Sequence, residues 1–187
     1  MEKKEIKAEI KRLLPTTSRK EIYQSLLEKG ADKKTAARCL ASTPDMAAAA
    51  FHQDKTNILI AGMLLLMAAS IVLFLFIGLL DKSADVGVII GFVVLFSLLF
   101  CWGFYKNSLL AYNAYIVIAL IQFPGLFEDF MASPIINTIM LAISVFLFAL
   151  VWILRSKIYP DDDDWFGPKK VNGNYVFTDS QGVSESI

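Results

Sequence analysis

The residues of this chain that could do chemistry are few, and they sit at the edges of apolar runs. Asp81, Asp85, Glu128 and Asp129 lie on two short polar stretches between such runs, opposed only by Lys82. Carboxylates gathered at the mouth of a helix bundle attract cations, as acidic rings do in cation channels. The simpler reading, favoured here, is that short connectors need polar residues at the water boundary. Asp161, Asp162, Asp163 and Asp164 run consecutively and are followed by Trp165 and Phe166. Such oxygen ligands suit hard divalent cations, but adjacent residues rarely converge on one ion. A solvated acidic linker is therefore the favoured expectation. The alternative is docking of this tail against the basic first part of the chain, the aspartates drawn to its excess of Lys and Arg and the two aromatic rings supplying apolar contact.

The other candidates argue by what they exclude. His52 is the sole histidine, which leaves little for a zinc site or an imidazole base, and its place just before an apolar run reads as interfacial. Cys39 and Cys101 suggest neither a disulfide framework nor a metal site; each reads as a small buried residue of its helix. No phosphate-cradling glycine loop, nucleophile elbow or paired metal motif occurs. Basic residues of the first part are interleaved with glutamates, so no nucleic-acid patch is expected. The expectation is a chain without enzymatic activity and without a cofactor.

The elements that must position these residues follow from where the apolar residues fall. The chain has 187 residues, 56% of them hydrophobic, and equal numbers of acidic and basic groups. The apolar excess lies between Ile58 and Leu154, where the charged residues are Asp81, Lys82, Asp85, Lys106, Glu128 and Asp129. A bilayer-spanning helix needs about 20 apolar residues. Residues 58–80 meet this without a charge, and 86–105 and 134–154 follow suit. Residues 108–123 are shorter and more polar, yet read as a further span. The first run begins too late for a cleavable signal peptide and would act as an uncleaved anchor.

The fold class expected is thus an all-α membrane protein. Residues 1–55 form a small cytosolic helical head, 56–156 a four-span antiparallel bundle, and 157–187 a polar cytosolic tail. Positive residues favour the cytoplasmic side. The head carries 12 Lys/Arg against 8 Asp/Glu, and Lys106, Arg155 and Lys157 follow the second and fourth spans. Trp102, Tyr105, Tyr112, Trp152 and Tyr159 would form an aromatic belt at that same interface. A prokaryotic inner membrane is favoured by the compact loops.

The head reads as short helices. Ile6, Ile10, Leu13 and Leu14 make one apolar stripe, stopped by Pro15. Ser18 with Glu21 is a capping box. Ile22, Tyr23, Leu26 and Leu27 make a second stripe, and Gly30 suits a left-handed stop. Asp32 can cap a third helix bearing Ala36, Ala37 and Leu40. Thr43 followed by Pro44 and Asp45 signals another start, with proline at the first helical position. The pattern from Ile22 through Gly30 to Leu40 resembles the helical hairpin of ubiquitin-associated and related three-helix modules. It departs from them at Ala31, where an aromatic residue is usual, and no ligand is inferred from the resemblance. A core of this size is thin, so the head is expected to lean on the membrane or a partner. In the tail, Asn172-Gly173 signals a hairpin between Val171 and Tyr175, and the residues from Ser180 on read as disordered.

Within the spans, Gly87 and Gly91 have the spacing of a close helix–helix contact. Packing inside the chain is preferred there over a homo-oligomer. Asn113, Gln122 and Asn137 are candidate packing residues, and Gln122 and Asn137 should lie at similar depth. No span carries an ionisable group of the kind that marks proton relays and voltage sensors. The leading expectation is a non-enzymatic membrane protein that binds or regulates a protein partner, with the lipid bilayer as its solvent. The alternatives are a small oligomeric channel or transporter, and an immunity protein against a membrane-targeting toxin.

Overall fold

The computed structural model describes residues 1–81, 86–125, 134–163, 167–171 and 173–178. These residues are mostly helical. Helices α1 (Lys3–Leu13), α2 (Arg19–Glu28), α3 (Lys33–Ala41) and α4 (Met46–Phe51) precede the long apolar helices α5 (Gln53–Asp81) and α6 (Val86–Tyr105). Next come α7 (Leu109–Gln122) and α8 (Pro134–Ile158), then four two-residue strands: β1 (Asp162–Asp163), β2 (Gly167–Pro168), β3 (Lys170–Val171) and β4 (Asn174–Tyr175). The chain divides into two compact units. One joins Met1–Phe51 with Arg155–Ile187, and the other is His52–Leu154.

In the first unit the local signals act as the sequence indicates. Ser18 Oγ accepts from Glu21 N while the Glu21 carboxylate accepts from Ser18 N. Gly30 takes φ +79° after α2. Asp32 accepts from both the amide and the hydroxyl of Thr35, at 2.9 and 2.8 Å. Ile6, Ile10, Ile22, Leu26, Ala36, Ala37 and Leu40 form the core. One start signal is displaced. Helix α4 begins at Met46, capped by Asp45 Oδ1 accepting from Ala47 N and Ala48 N, whereas the Thr43 hydroxyl donates back to Cys39 O. Proline therefore precedes the cap instead of opening the helix.

The thin core of the three helices is completed from the far end of the chain. Phe177 is buried in it, and its ring stands 4.9 Å from that of Tyr23. Tyr175 meets Tyr23 edge-on at 6.1 Å. The hairpin β3–β4 pairs Lys170 with Tyr175 and Val171 with Asn174, with Gly173 at φ +81° as such a turn requires. A second antiparallel pair, β1–β2, aligns Asp162 with Pro168. A stretch read as a solvated linker thus includes a strand, because its pairing partner lies outside the acidic run.

In the second unit, α5, α6 and α8 are long and apolar enough to cross a membrane, while α7 is a shorter apolar helix of 14 residues. Large apolar side chains such as Leu65, Phe92, Leu110 and Ile121 are exposed. This is the arrangement expected where lipid replaces water as the neighbour. The buried positions include Leu59 of α5, Phe104 of α6, Tyr112 and Ile116 of α7, and Val151 and Leu154 of α8. Between α6 and α7, Asn107 adopts φ 46°; Ser108 N donates to Gly103 O and Asn107 N to Phe104 O. That pair of bonds is a Schellman stop, and it reverses the chain tightly. Gly103 is needed at this corner, since a Cβ there would collide with the Cβ of Ala111.

The aromatic belt is partly revised. Trp102 and Tyr105 are exposed beside Lys106, whose Nζ lies 5.1 and 5.6 Å from their ring centroids. Tyr112 and Tyr159 are buried instead.

Candidate functional site at the head–tail junction

Arg19 stands at the first position of α2, directly after its cap. A cation there opposes the helix dipole, which favours negative charge at the N-terminus. The structure supplies the reason for its place. Arg19 Nη1 donates to Asp161 Oδ2 at 3.0 Å and to Leu40 O at 3.2 Å, and Nη2 donates to Thr43 O at 2.9 Å. The guanidinium fork thereby closes the end of α3 and holds the tail. Both partners are buried, Arg19 at 3% exposure and Asp161 at 0%.

Asp161 is equally committed. Its Oδ1 accepts from Thr178 N at 2.6 Å, and its backbone carbonyl accepts from Lys169 N at 2.9 Å. One residue thus fixes both the start of the tail and its return. Arg155 Nη2 pairs with Asp162 Oδ2 at 2.8 Å, and Asp45 N donates to Ile158 O at 2.8 Å. The end of α8, the entry to α4 and the N-terminus of α2 meet here within one unit. Among the described residues no buried side-chain nitrogen or oxygen lacks a hydrogen-bond partner. A buried charge pair needs such satisfaction, because desolvating either ion alone costs several kcal/mol.

Elsewhere on the same unit three titratable groups are shifted by their neighbours. Burial pushes the Tyr23 hydroxyl above its ordinary value, with smaller contributions from Tyr175 and Asp32. Glu9 is held below the usual carboxylate range, first by its hydrogen bond to Lys29. Asp32 is held low by the amide and hydroxyl of Thr35. The arrangement can lock two distant chain segments together, and its charges are spent on each other.

The remaining sequence candidates are placed as follows. Of the docking set, Asp161 and Asp162 form the two ion pairs above. Asp163 contributes backbone to β1, and Asp164, Trp165 and Phe166 lie outside the described residues. Asp161 is therefore no solvated linker residue, a correction to the favoured sequence reading. Of the acidic connectors, Asp81 ends α5, whereas Asp85, Glu128 and Asp129 lie outside the described residues. Gly87 and Gly91 are open, since a Cβ at either would meet nothing within 4 Å. Asn113 lies within α7 and Gln122 ends it; the side chain of Asn137, on α8, lies outside the described residues. Among the described residues no group of His, Cys, Asp and Glu could hold a metal ion.

The sequence reading missed Arg19. Its one local signal is a cation at a helix N-terminus, where the dipole gives it no support. Compared with family models, curated proteins and solved structures, the chain shows no match.

Proposed function

We propose that this chain is a non-enzymatic, partner-binding membrane protein with four crossings, whose head and tail form one cytosolic module. The Arg19–Asp161 junction holds that module closed, and a protein partner opens it. The observation that carries this reading is the buried pair itself. It joins residues 142 apart in sequence, one before and one after the whole apolar block. Two segments bonded in this way stand on one side of a bilayer, so the chain between them crosses an even number of times. The sidedness is supported by Lys55, Lys106 and Lys157, which lie at ends of apolar helices and which four crossings would bring to the head's side. Arg155 counts for less, because it is spent on Asp162.

Full-length protein in native membranes tests the reading. The backbone amide of Thr178 should exchange slowly in the unmodified chain and rapidly in Arg19→Met, since it donates to the Asp161 carboxylate that Arg19 holds. Proximity labelling from the head should then recover more of a cytosolic protein from the variant. Slow exchange in the variant would show that the pair is no latch. Rapid exchange with an unchanged set of labelled proteins would remove the partner-opened form.

A further inference from the structure

A groove of about 710 Å³ opens on the first unit between α1 and the segment leading into α4. Lys7 and Lys11 line one wall, four residues apart on the same face of α1, with Leu14 one turn further on. Pro44, Met46 and Ala47 line the opposite wall. Both lysines are exposed, and among the described residues neither takes part in an ion pair. This sets them apart from Lys29, which pairs with Glu9, and from Arg19, whose charge at the base of the groove is matched by Asp161. Asp45 is the single acidic residue among the lining, and its Oδ1 is turned to the amides of Ala47 and Ala48. The groove therefore combines two uncompensated ammonium groups with an apolar wall.

Its position along the chain names the occupant. Ala47 stands six residues before Gln53, where the first apolar helix begins. At about 1.5 Å per helical residue, that wall lies within roughly 10 Å of chain from the membrane entry. Met46, which lines the groove, is 62% exposed and so is free to meet an apolar ligand. We propose that the groove seats the headgroup of an anionic phospholipid, its phosphate between Lys7 and Lys11 and its glycerol end against Pro44 and Met46. Unpaired lysines near a negative leaflet are the groups such a lipid attracts. The proposal requires α5 to enter the bilayer, and it shares Arg19, Thr43 and Asp45 with the head–tail junction.

The test is lysine footprinting by acetylation and mass spectrometry on the full chain in nanodiscs. One set contains phosphatidylcholine alone and the other one-third phosphatidylglycerol. Labelling of Lys7 and Lys11 should fall by about threefold or more in the anionic discs, with Lys33 and Lys34 of α3 unchanged. Ala47→Trp fills the groove from an exposed position without changing charge, and should restore labelling. Equal labelling in both discs overturns the proposal. Protection that persists in Ala47→Trp also overturns it, by assigning the effect to general surface attraction. Protection by inorganic phosphate in phosphatidylcholine discs would replace the lipid with a free anion.

Discussion

At the residue scale, Arg19 and Asp161 differ from a simple buried ion pair. Such a pair can often be replaced by apolar residues with little loss, whereas removing one partner costs about 3–5 kcal/mol. Here each charge also serves the backbone: Arg19 holds the carbonyls of Leu40 and Thr43, and Asp161 holds the amide of Thr178. Replacing both side chains would remove these three bonds together with the ion pair, although Leu40 O keeps the amide of Thr43, and each bond is worth about 0.5–1.5 kcal/mol net. The double variant Arg19→Met/Asp161→Leu should therefore remain destabilised, near the level of either single change. Hydrogen exchange of the Thr178 amide, read together with the melting temperature in detergent, checks this, and recovery in the double variant would refute it. A second prediction concerns Glu9 and Asp32, whose carboxyls are held below their ordinary values of 4.5 and 3.8. A carboxyl lowered on folding stabilises the fold above its unfolded value and loses that contribution as pH falls through the folded one. The helical signal of the full chain should weaken with acid below those values, and Glu9→Gln/Asp32→Asn should make that acid limb shallower. Docking of the acidic run on the basic head was an alternative the sequence offered, but Arg19 as the partner was not legible, because a buried pair leaves no local pattern. Asp32 was legible, since a cap bonds within its own turn.

At the element scale the same division holds. The helix starts at Ser18 and Asp32, the stop at Gly30 and the positive φ of Gly173 are local devices, and the chain spells them out. The β1–β2 pair was not legible, because acidic residues carry no strand periodicity and its pairing is fixed by Asp161 bonding elsewhere. The α6–α7 corner was read merely as a short connector, yet its geometry depends on Gly103 and Asn107. Glycine spacing drew attention to Gly87 and Gly91, but close approach within the chain falls at Gly103, outside that pattern. Gly103→Ala should lower the melting temperature in detergent, since overpacking typically costs about 1–3 kcal/mol. Ala111→Gly, added to it, should restore part of the loss by removing the atom that the new methyl meets. A thermally silent Gly103→Ala would mean that the two helices part without cost.

At the scale of the whole molecule, the proposal stands on a count of crossings. Helices α5, α6 and α8 give three candidates long enough to span. Three is odd, and a head and tail bonded as one unit need an even number. In the proposed four-crossing chain helix α7 supplies the fourth, although its 14 residues rise only about 21 Å against a hydrocarbon core of about 30 Å. The sequence offers a remedy, since the residues after Gln122 stay uncharged through Phe127 before Glu128. Local thinning of the bilayer around a short span costs fractions of a kcal/mol per Å. Hydropathy made the apolar block legible and ranked this segment weakest, but no hydropathy pattern could reveal that the two ends of the chain share one core. Phe51→Cys, Glu128→Cys and Thr178→Cys, each placed singly in a chain with Cys39 and Cys101 changed to alanine, give the test. A membrane-impermeant thiol reagent should reach positions 51 and 178 from the cytosolic side and position 128 from the other. Labelling of 128 from the same side as 51 would mean that α7 does not cross, and one of the three long helices would then lie along the membrane instead of through it.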